Sequence, residues 1–206
     1  MQIVEPSAEL LFVTPDANIL IEQAGRTCYK SEEKITDNSS SKFLQQIIKS
    51  GHESVLEHAS ASFRIITNRY TTHQIVRHRL FSYSQESQRY CNYSKDKFNK
   101  GIQYVLPKCE MSENVLENFL ASLQSCEDTY LFLIDQGVAP QVARAVLPSC
   151  CKTEIVMSGN FRSWRHFFKL RCDLHAQADV RFLANTMVQQ FQEILPEVFS
   201  SEALEI

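Results

Sequence analysis

Five glycines serve the whole 206-residue chain, at Gly25, Gly51, Gly101, Gly137 and Gly159, and no two of them stand closer than 22 positions apart. A phosphate-cradling P-loop and the dinucleotide fingerprint G-x-G-x-x-G both need glycines at short fixed offsets, because only glycine lets the backbone turn tightly against a phosphate. Neither motif can be written in this sequence. Any phosphate bound here must be held by arginine forks and helix amino termini instead.

Periodicity fills in the rest of the constraint. Short apolar stretches over residues 1–14 read as edge strands, and Thr14-Pro15-Asp16 opens a helical pattern to about Tyr29. Ser31 to Ser41 is polar and reads as a loop. A second amphipathic helix carries Phe43, Leu44, Ile47 and Ile48 on one face and stops at Gly51, a carboxy-terminal cap. Ala59, Ala61, Phe63 and Ile65 alternate with polar neighbours as in a strand with one buried face.

Asn68 then caps a helix over Arg69 to Leu80, and the serine-rich run after it, lacking a helical period, reads as an extended loop. Ile102 to Leu106 reads as a strand, and Ser112 to Gln136 as a long helix with Val115, Phe119, Leu123, Cys126 and Tyr130 at core spacing. Pro140 starts a short helix that Pro148 ends. Thr153, Ile155 and Met157 alternate as a strand, Asn160 caps a helix bearing Arg162, His166 and Arg171, and Ala178 to Leu195 forms the last long helix. Several helices with scattered strands and no regular βαβ alternation predict an α+β fold: one domain over residues 1–206, with a mixed or antiparallel central sheet flanked by helices.

No apolar run approaches the roughly 18 residues of a membrane span, and the amino terminus lacks the basic and apolar regions of a signal peptide, so a cytoplasmic protein is expected. Seven cysteines without a C-x-x-C pair predict free thiols rather than disulfides or zinc, and adjacent Cys150-Cys151 is poorly placed for a relaxed disulfide. No metal site is expected.

Charge is strongly segregated beneath a net of −3. Arg64 to Lys100 holds eight Lys or Arg against Glu86 and Asp96, and Asn160 to Cys172 holds four with no acid. A basic stripe on an acidic body points to a local anionic ligand rather than to generic nucleic-acid binding. Its densest part runs from Arg77 to Tyr90, with three arginines, one histidine and three serines in fourteen residues. On a helix, Arg77 and Arg79 would point about 200° apart, so they would serve two anionic ligands or lie at a subunit junction. A solvated basic helix end is the plain alternative for an isolated R-H-R.

Gln74 shares a helical face with Arg77, and an amide beside a guanidinium can read a pyrimidine or flavin edge; an exposed polar position is the other reading. His52 and His58, flanking Glu53, Ser54 and Glu57, lack zinc-protease spacing and read as a polar turn before the next strand. Arg162 and His166 share one face of the helix that Asn160 caps, while Trp164, Phe168 and Cys172 form an apolar one. That basic face can hold a phosphate or be ordinary surface.

Together these segments resemble the flavin-dependent thymidylate synthases, whose hallmark is R-H-R followed after seven residues by serine. Here it stands as Arg77-His78-Arg79 and Ser87, extended to Arg89-Tyr90. Upstream, Gly51-His52-Glu53-Ser54 and Glu57-His58 are similar to the family's G-H-x-[ST] and E-H elements. Downstream, Gly137 to Pro148, Asn160-Phe161-Arg162, Leu170-Arg171 and His175-Ala176-Gln177 continue the resemblance in order and spacing over about residues 50–180. Gln85 departs from it, standing where many members carry glutamate.

The resemblance implies an FAD-dependent methyltransferase that converts dUMP to dTMP, taking carbon from methylenetetrahydrofolate and reducing equivalents from NADPH. It implies a homotetramer with active sites between subunits, and no nucleic-acid or membrane partner. By position, Gln74, Ile75, Val76, Arg77, Gln85, Glu86, Ser87, Gln88, Arg89, Arg144 and Arg171 would contact dUMP. Ser54, Arg77, His78, Arg79, Gln85, Asn160, Phe161, Arg162 and His166 would contact FAD. Arg171, beside the uracil ring, would be catalytic, an electrostatic task suited to an always charged group. Other readings of the same residues are a non-catalytic flavin or nucleotide sensor and a nucleic-acid module whose Tyr83, Tyr90 and Tyr93 stack bases.

Overall fold

The computed structural model describes residues 1–206. Strands are β1 (Gln2–Ile3), β2 (Ser7–Val13), β3 (Ser60–Asn68), β4 (Ser82–Gln85), β5 (Gln103–Tyr104) and β6 (Lys152–Asn160). Helices are α1 (Ala17–Thr27), α2 (Ser39–Lys49), α3 (Arg69–Ile75), α4 (Glu113–Asp135), α5 (Pro140–Ala143), α6 (Phe161–Arg171), α7 (Ala178–Ile194), α8 (Pro196–Phe199) and α9 (Ser201–Leu204).

Four strands form a sheet in the order β2-β3-β6-β4. Its register runs antiparallel: the Phe161 amide donates to the Ala59 carbonyl, whereas further along β3 Ser62 meets Ser158 through their hydroxyls at 2.7 Å. Beside it, β1 and β5 form a separate parallel ladder, Gln2 with Gln103 and Ile3 with Tyr104. The α+β expectation with an antiparallel sheet therefore holds.

The chain divides into two compact units. The first comprises Met1–Ser7, Ile66–Ile75 and Ser84–Ile155. Its core gathers Tyr93, Ile102, Tyr104, Leu123, Tyr130 and the Cys150-Cys151 pair. The buried phenols find partners, as they must: Tyr104 donates to the Leu123 carbonyl at 3.1 Å and Tyr130 accepts the Tyr93 amide at 3.3 Å. Val115, expected in this core, is 53% exposed, since it lies in the first turn of α4.

The second unit comprises Ala8–Ile65, Val76–Tyr83 and Val156–Ile206. It is built on aromatic packing. Trp164 is fully buried, donates from Nε1 to the Ala61 carbonyl at 3.2 Å, and lies 5.2 Å from Phe63 and 5.7 Å from Phe168. Phe191 stacks on Phe199 at 4.2 Å. Helix α2 ends as its sequence indicates: Gly51 takes φ +65°, and the Gly51 and His52 amides satisfy the Ile48 and Ile47 carbonyls.

Two local expectations are corrected. Helix α3 stops at Ile75, not Leu80, so Arg77-His78-Arg79 lies in the turn beyond it and the helical fan of these cations does not form. Thr71, Thr72, Ile75 and Val76 crowd β-branched side chains into the helix end, the Thr72 hydroxyl bonds back to the Arg69 carbonyl at 2.8 Å, and Tyr83 pins the His78 carbonyl at 2.8 Å. The serine-rich run, read as a loop, becomes the edge strand β4 from Ser82. Ser82 and Ser84 face outward while Tyr83 and Gln85 turn inward, a period of two hidden by its shortness. The Ser31–Ser41 segment also contains a 3₁₀ turn at Glu32–Lys34 and the start of α2.

Gly159 sets the approach of the R-H-R turn to β6. A Cβ there would fall 2.4–2.5 Å from Phe81 ring carbons, and Phe81 is itself held against Trp164 at 4.8 Å. Gly159→Ala is expected to push the Phe81 ring out and cost about 1–3 kcal/mol, measured as a shift of the urea midpoint with unchanged m-value. A stability equal to that of the parent would remove this close approach from the account.

Candidate active site

Two adjoining cavities open in the second unit. The smaller, of about 320 Å³, is walled by Arg77, His78, Arg79, Phe81, Leu170 and Arg171. The larger, of about 670 Å³, adds Glu53, Glu57, Asn160, Arg162, Arg165 and Lys169. Leu80, Ser163 and His166 line both. The smaller cavity thus carries three guanidiniums and no carboxylate.

Helix α6 positions much of this surface. Asn160 accepts the Ser163 amide at 2.9 Å, the capping bond expected for it, and the helix then presents Arg162 and His166 outward while Trp164, Phe167 and Phe168 anchor it in the core. Phe161, expected at the cofactor, has its side chain fully buried, 5.3 Å from Phe199. Ser54 is exposed on a 3₁₀ helix over Glu53–His58. The two acids of that helix are ion-paired, Glu57 to Arg162 at 2.6 Å and Glu53 to Arg165 at 3.0 Å.

His78 is 9% exposed, with its ring 4.9 Å from Phe167 and 6.3 Å from His166. Arg171 Nε donates to its Nε2 at 2.9 Å. Accepting that bond requires the neutral imidazole with its proton on Nδ1. Burial first, then the Arg171 and His166 charges, lower the His78 pKa from 6.5 to about 4. Arg77 and Arg79 are exposed and have no side-chain partner within the chain.

The depressed His78 pKa has a defined sign. The unfolded chain binds the proton more readily, so the stability this group contributes is fully present above about pH 6.5 and is lost as pH falls towards 4. On the order of 2–3 kcal/mol should disappear across that window. Unfolding curves at pH 7 and pH 4 for the wild type and His78→Gln check it: the wild type should lose more stability than the variant, and equal losses would contradict a neutral buried His78.

The first unit holds most of the remaining expected substrate residues. Gln85 Nε2 donates to the Thr72 and Thr153 hydroxyls at 2.9 and 3.2 Å, tying β4 to α3 and β6. A glutamate could not donate those bonds, so Gln85 here is an amide lock. Glu86 uses both carboxylate oxygens, one accepting from Tyr93 at 2.6 Å and the other from Lys152 at 2.9 Å. Burial first, then that carboxylate, push the Tyr93 phenol far above its usual range. Ser87 Oγ accepts the Arg89 amide at 3.3 Å, and Arg89 lies over Tyr90 at 5.1 Å. Gln88 is buried with Nε2 lacking a partner in the chain.

Ile75 is fully buried, so only its backbone can meet a ligand. Gln74 is half-buried in this unit, and Arg144 is exposed with Nε on the Gln141 carbonyl at 3.3 Å. Val76 belongs to the second unit and is 37% exposed.

Sequence reasoning missed Arg165, Lys169 and Glu53 as cavity residues. A signal was present for Arg165. At 100° per residue it lies within about 60° of Phe161 and Phe168, a cation set into the apolar face of its helix.

A fold of this kind, with a cation-lined cavity beside a capped helix and a basic turn, fits a protein that binds phosphorylated ligands. Its likeness to known proteins is closer than that. Residues 9–197 match the family described as thymidylate synthase complementing protein. The flavin-dependent thymidylate synthase of Geobacter sulfurreducens is 39% identical over 197 residues, covering 92% of this chain and 84% of the relative. That of Mycobacterium tuberculosis is 37% identical over 194 residues, covering 88% and 78%. A crystal structure of a UMP/dUMP methylase, PolB from Streptomyces cacaoi, bound with 5-Br dUMP, superposes with a TM-score of 0.83 over 100% of this chain and 97% of that one; at 20% identity it shows a shared fold. The chain belongs to the family of flavin-dependent thymidylate synthases.

Proposed function

We propose that this chain is an FAD-dependent thymidylate synthase that methylates dUMP to dTMP, with methylenetetrahydrofolate as carbon donor and NADPH as reductant. The observation that carries the reading at the level of the site is the acid-free cavity in which Arg171 is fixed to a neutral His78 beside the unpartnered Arg77 and Arg79. A doubly anionic dinucleotide needs cations that are not already neutralised, and Arg77 and Arg79 supply them. The cavities fit such a cofactor: Arg77 and Arg79 would meet its phosphates, joined by Arg162 on exchange of its Glu57 partner, Asn160 and His166 would offer polar contacts, and Phe81 with Leu80 and Leu170 would supply an apolar wall.

Bound FAD, once reduced, supplies the hydride. The chain's own residues do the rest. Arg171, oriented by His78, presents a permanently charged guanidinium to the negative charge that builds on the uracil ring as its C5 is activated. Ser87 has its oxygen on the Arg89 amide, and its role is to position dUMP. Gln88 Nε2, a buried donor without a partner, is suited to a pyrimidine or phosphate oxygen. Burial pushes the Cys150 and Cys172 thiols up to about 11 and Cys151 higher still, so these three are not activated for attack.

The protein acts as one catalytic domain, in a homotetramer whose sites lie between subunits. Leu80 at 78% exposure and Leu170 at 48%, both lining the cavities, are the apolar surface such an arrangement would cover. Seven free thiols fit a reducing cytoplasm, and no helix is long and apolar enough to cross a membrane.

Reconstitution tests the cofactor: the purified protein should be yellow or become so with FAD. A protein that stays colourless and shows no FAD binding by fluorescence titration would overturn the reading.

A further inference from the structure

Arg165 is the one arginine of α6 that faces inward. It is 2% exposed, a costly place for a charge unless every donor is met. Nε and Nη2 hold one oxygen of the Glu53 carboxylate at 3.1 and 3.0 Å. Nη2 also donates to the Ala203 carbonyl at 2.8 Å and Nη1 to the Val198 carbonyl. Those carbonyls belong to α8 and α9, beyond residue 197 where the family match ends. The segment is itself anchored, with Val198, Phe199 and Leu204 buried and Glu205 paired to Lys169 at 2.9 Å.

The consequence lies in the cavity. Glu53 and Arg165 both line its larger part, where Arg162 and Lys169, paired here with Glu57 and Glu205, would meet an anion. Left alone, the Glu53 carboxylate would stand among those cations as a competitor and repel a phosphate. Bound to Arg165, it is neutralised and turned onto the wall. It also fixes the start of the 3₁₀ helix that carries Ser54 and Glu57.

We propose that Arg165 is a positioning residue of the cofactor pocket: braced by the carbonyls of Val198 and Ala203, it neutralises Glu53 and keeps that carboxylate from the bound anion. This rests on the reading that the larger cavity takes the FAD phosphates.

The test is FAD affinity in full-length variants, measured by fluorescence titration at low salt. Arg165→Met keeps the side chain's bulk but frees the carboxylate, and should raise the FAD Kd at least tenfold. Adding Glu53→Gln to it should restore the Kd to within about threefold of wild type, a rescue that general loss of packing would not give. Glu53→Gln alone should bind FAD as tightly as wild type or more so. If Arg165→Met is not recovered folded, Arg165→Lys, which cannot reach both carbonyls and Glu53 together, carries the same test with at least a threefold rise and the same rescue. Wild-type affinity in the Arg165 variants, a double variant no better than the single, or a tenfold loss in Glu53→Gln would overturn the proposal. Absence of FAD binding by the wild type would instead overturn the reading beneath it.

Discussion

Arg171→Ala is expected to lower dUMP turnover by about 10²–10³-fold, the usual effect of removing one preorganised charge from a developing anion, while FAD affinity changes little. The guanidinium is not a loose surface charge. It sits at the end of α6, half-buried, with Nε fixed to a histidine that cannot readily protonate. Its orientation is therefore set before the substrate arrives, and preorganisation is what makes such a charge effective in catalysis. In the proposed site Arg77, Arg79 and Arg162 would remain to hold the cofactor. Arg171→Lys should recover only part of the rate, because an ammonium keeps the charge but not the planar fork. Steady-state kinetics beside an FAD titration separate the two effects; normal turnover in Arg171→Ala would remove this residue from the mechanism.

Trp164→Ala should destabilise the fold by about 3–5 kcal/mol, the range for truncating a large buried aromatic. That is a large part of the roughly 5–15 kcal/mol that holds a typical domain. Trp164 packs at ring-centroid distances of 4.8–5.7 Å against Phe63, Phe81, Phe167, Phe168 and Phe191, and its indole N–H satisfies the Ala61 carbonyl of β3. Removing it opens a cavity and takes away the indole bond to that carbonyl in one step. Phe81 and Phe167 also flank His78, so the site should loosen with the core. Urea unfolding reads the stability loss, and a loss under about 1 kcal/mol would show that the aromatic cluster repacks freely.

What the sequence showed clearly was periodic or capped. Phe63 and Ile65 in β3, Ile155 and Met157 in β6, and the Asn160 cap of α6 are where alternation and capping place them. The end of α3 was not legible, because it depends on the tyrosine that pins the His78 carbonyl and on β-branched crowding, neither of which interrupts the hydrophobic pattern. β4 was hidden because four residues are too few for alternation to stand out. At the site, chemical character was readable and pairing was not. Arg77, His78, Arg162 and Arg171 could be picked out as anion-binding groups, but which carboxylate neutralises which arginine depends on contacts made across more than a hundred residues, as in Glu53 with Arg165 and Glu57 with Arg162. Gln85, a departure from the family pattern, finds its explanation in two threonine hydroxyls far from it in sequence or across a turn.

Release of tritium from carbon-5-labelled dUMP tests the central claim most directly. With FAD, NADPH and methylenetetrahydrofolate all present, the protein should release tritium and form dTMP in step, and omission of any one of the three should abolish dTMP formation. Failure of the FAD-loaded protein to form dTMP in the complete mixture would contradict the assignment.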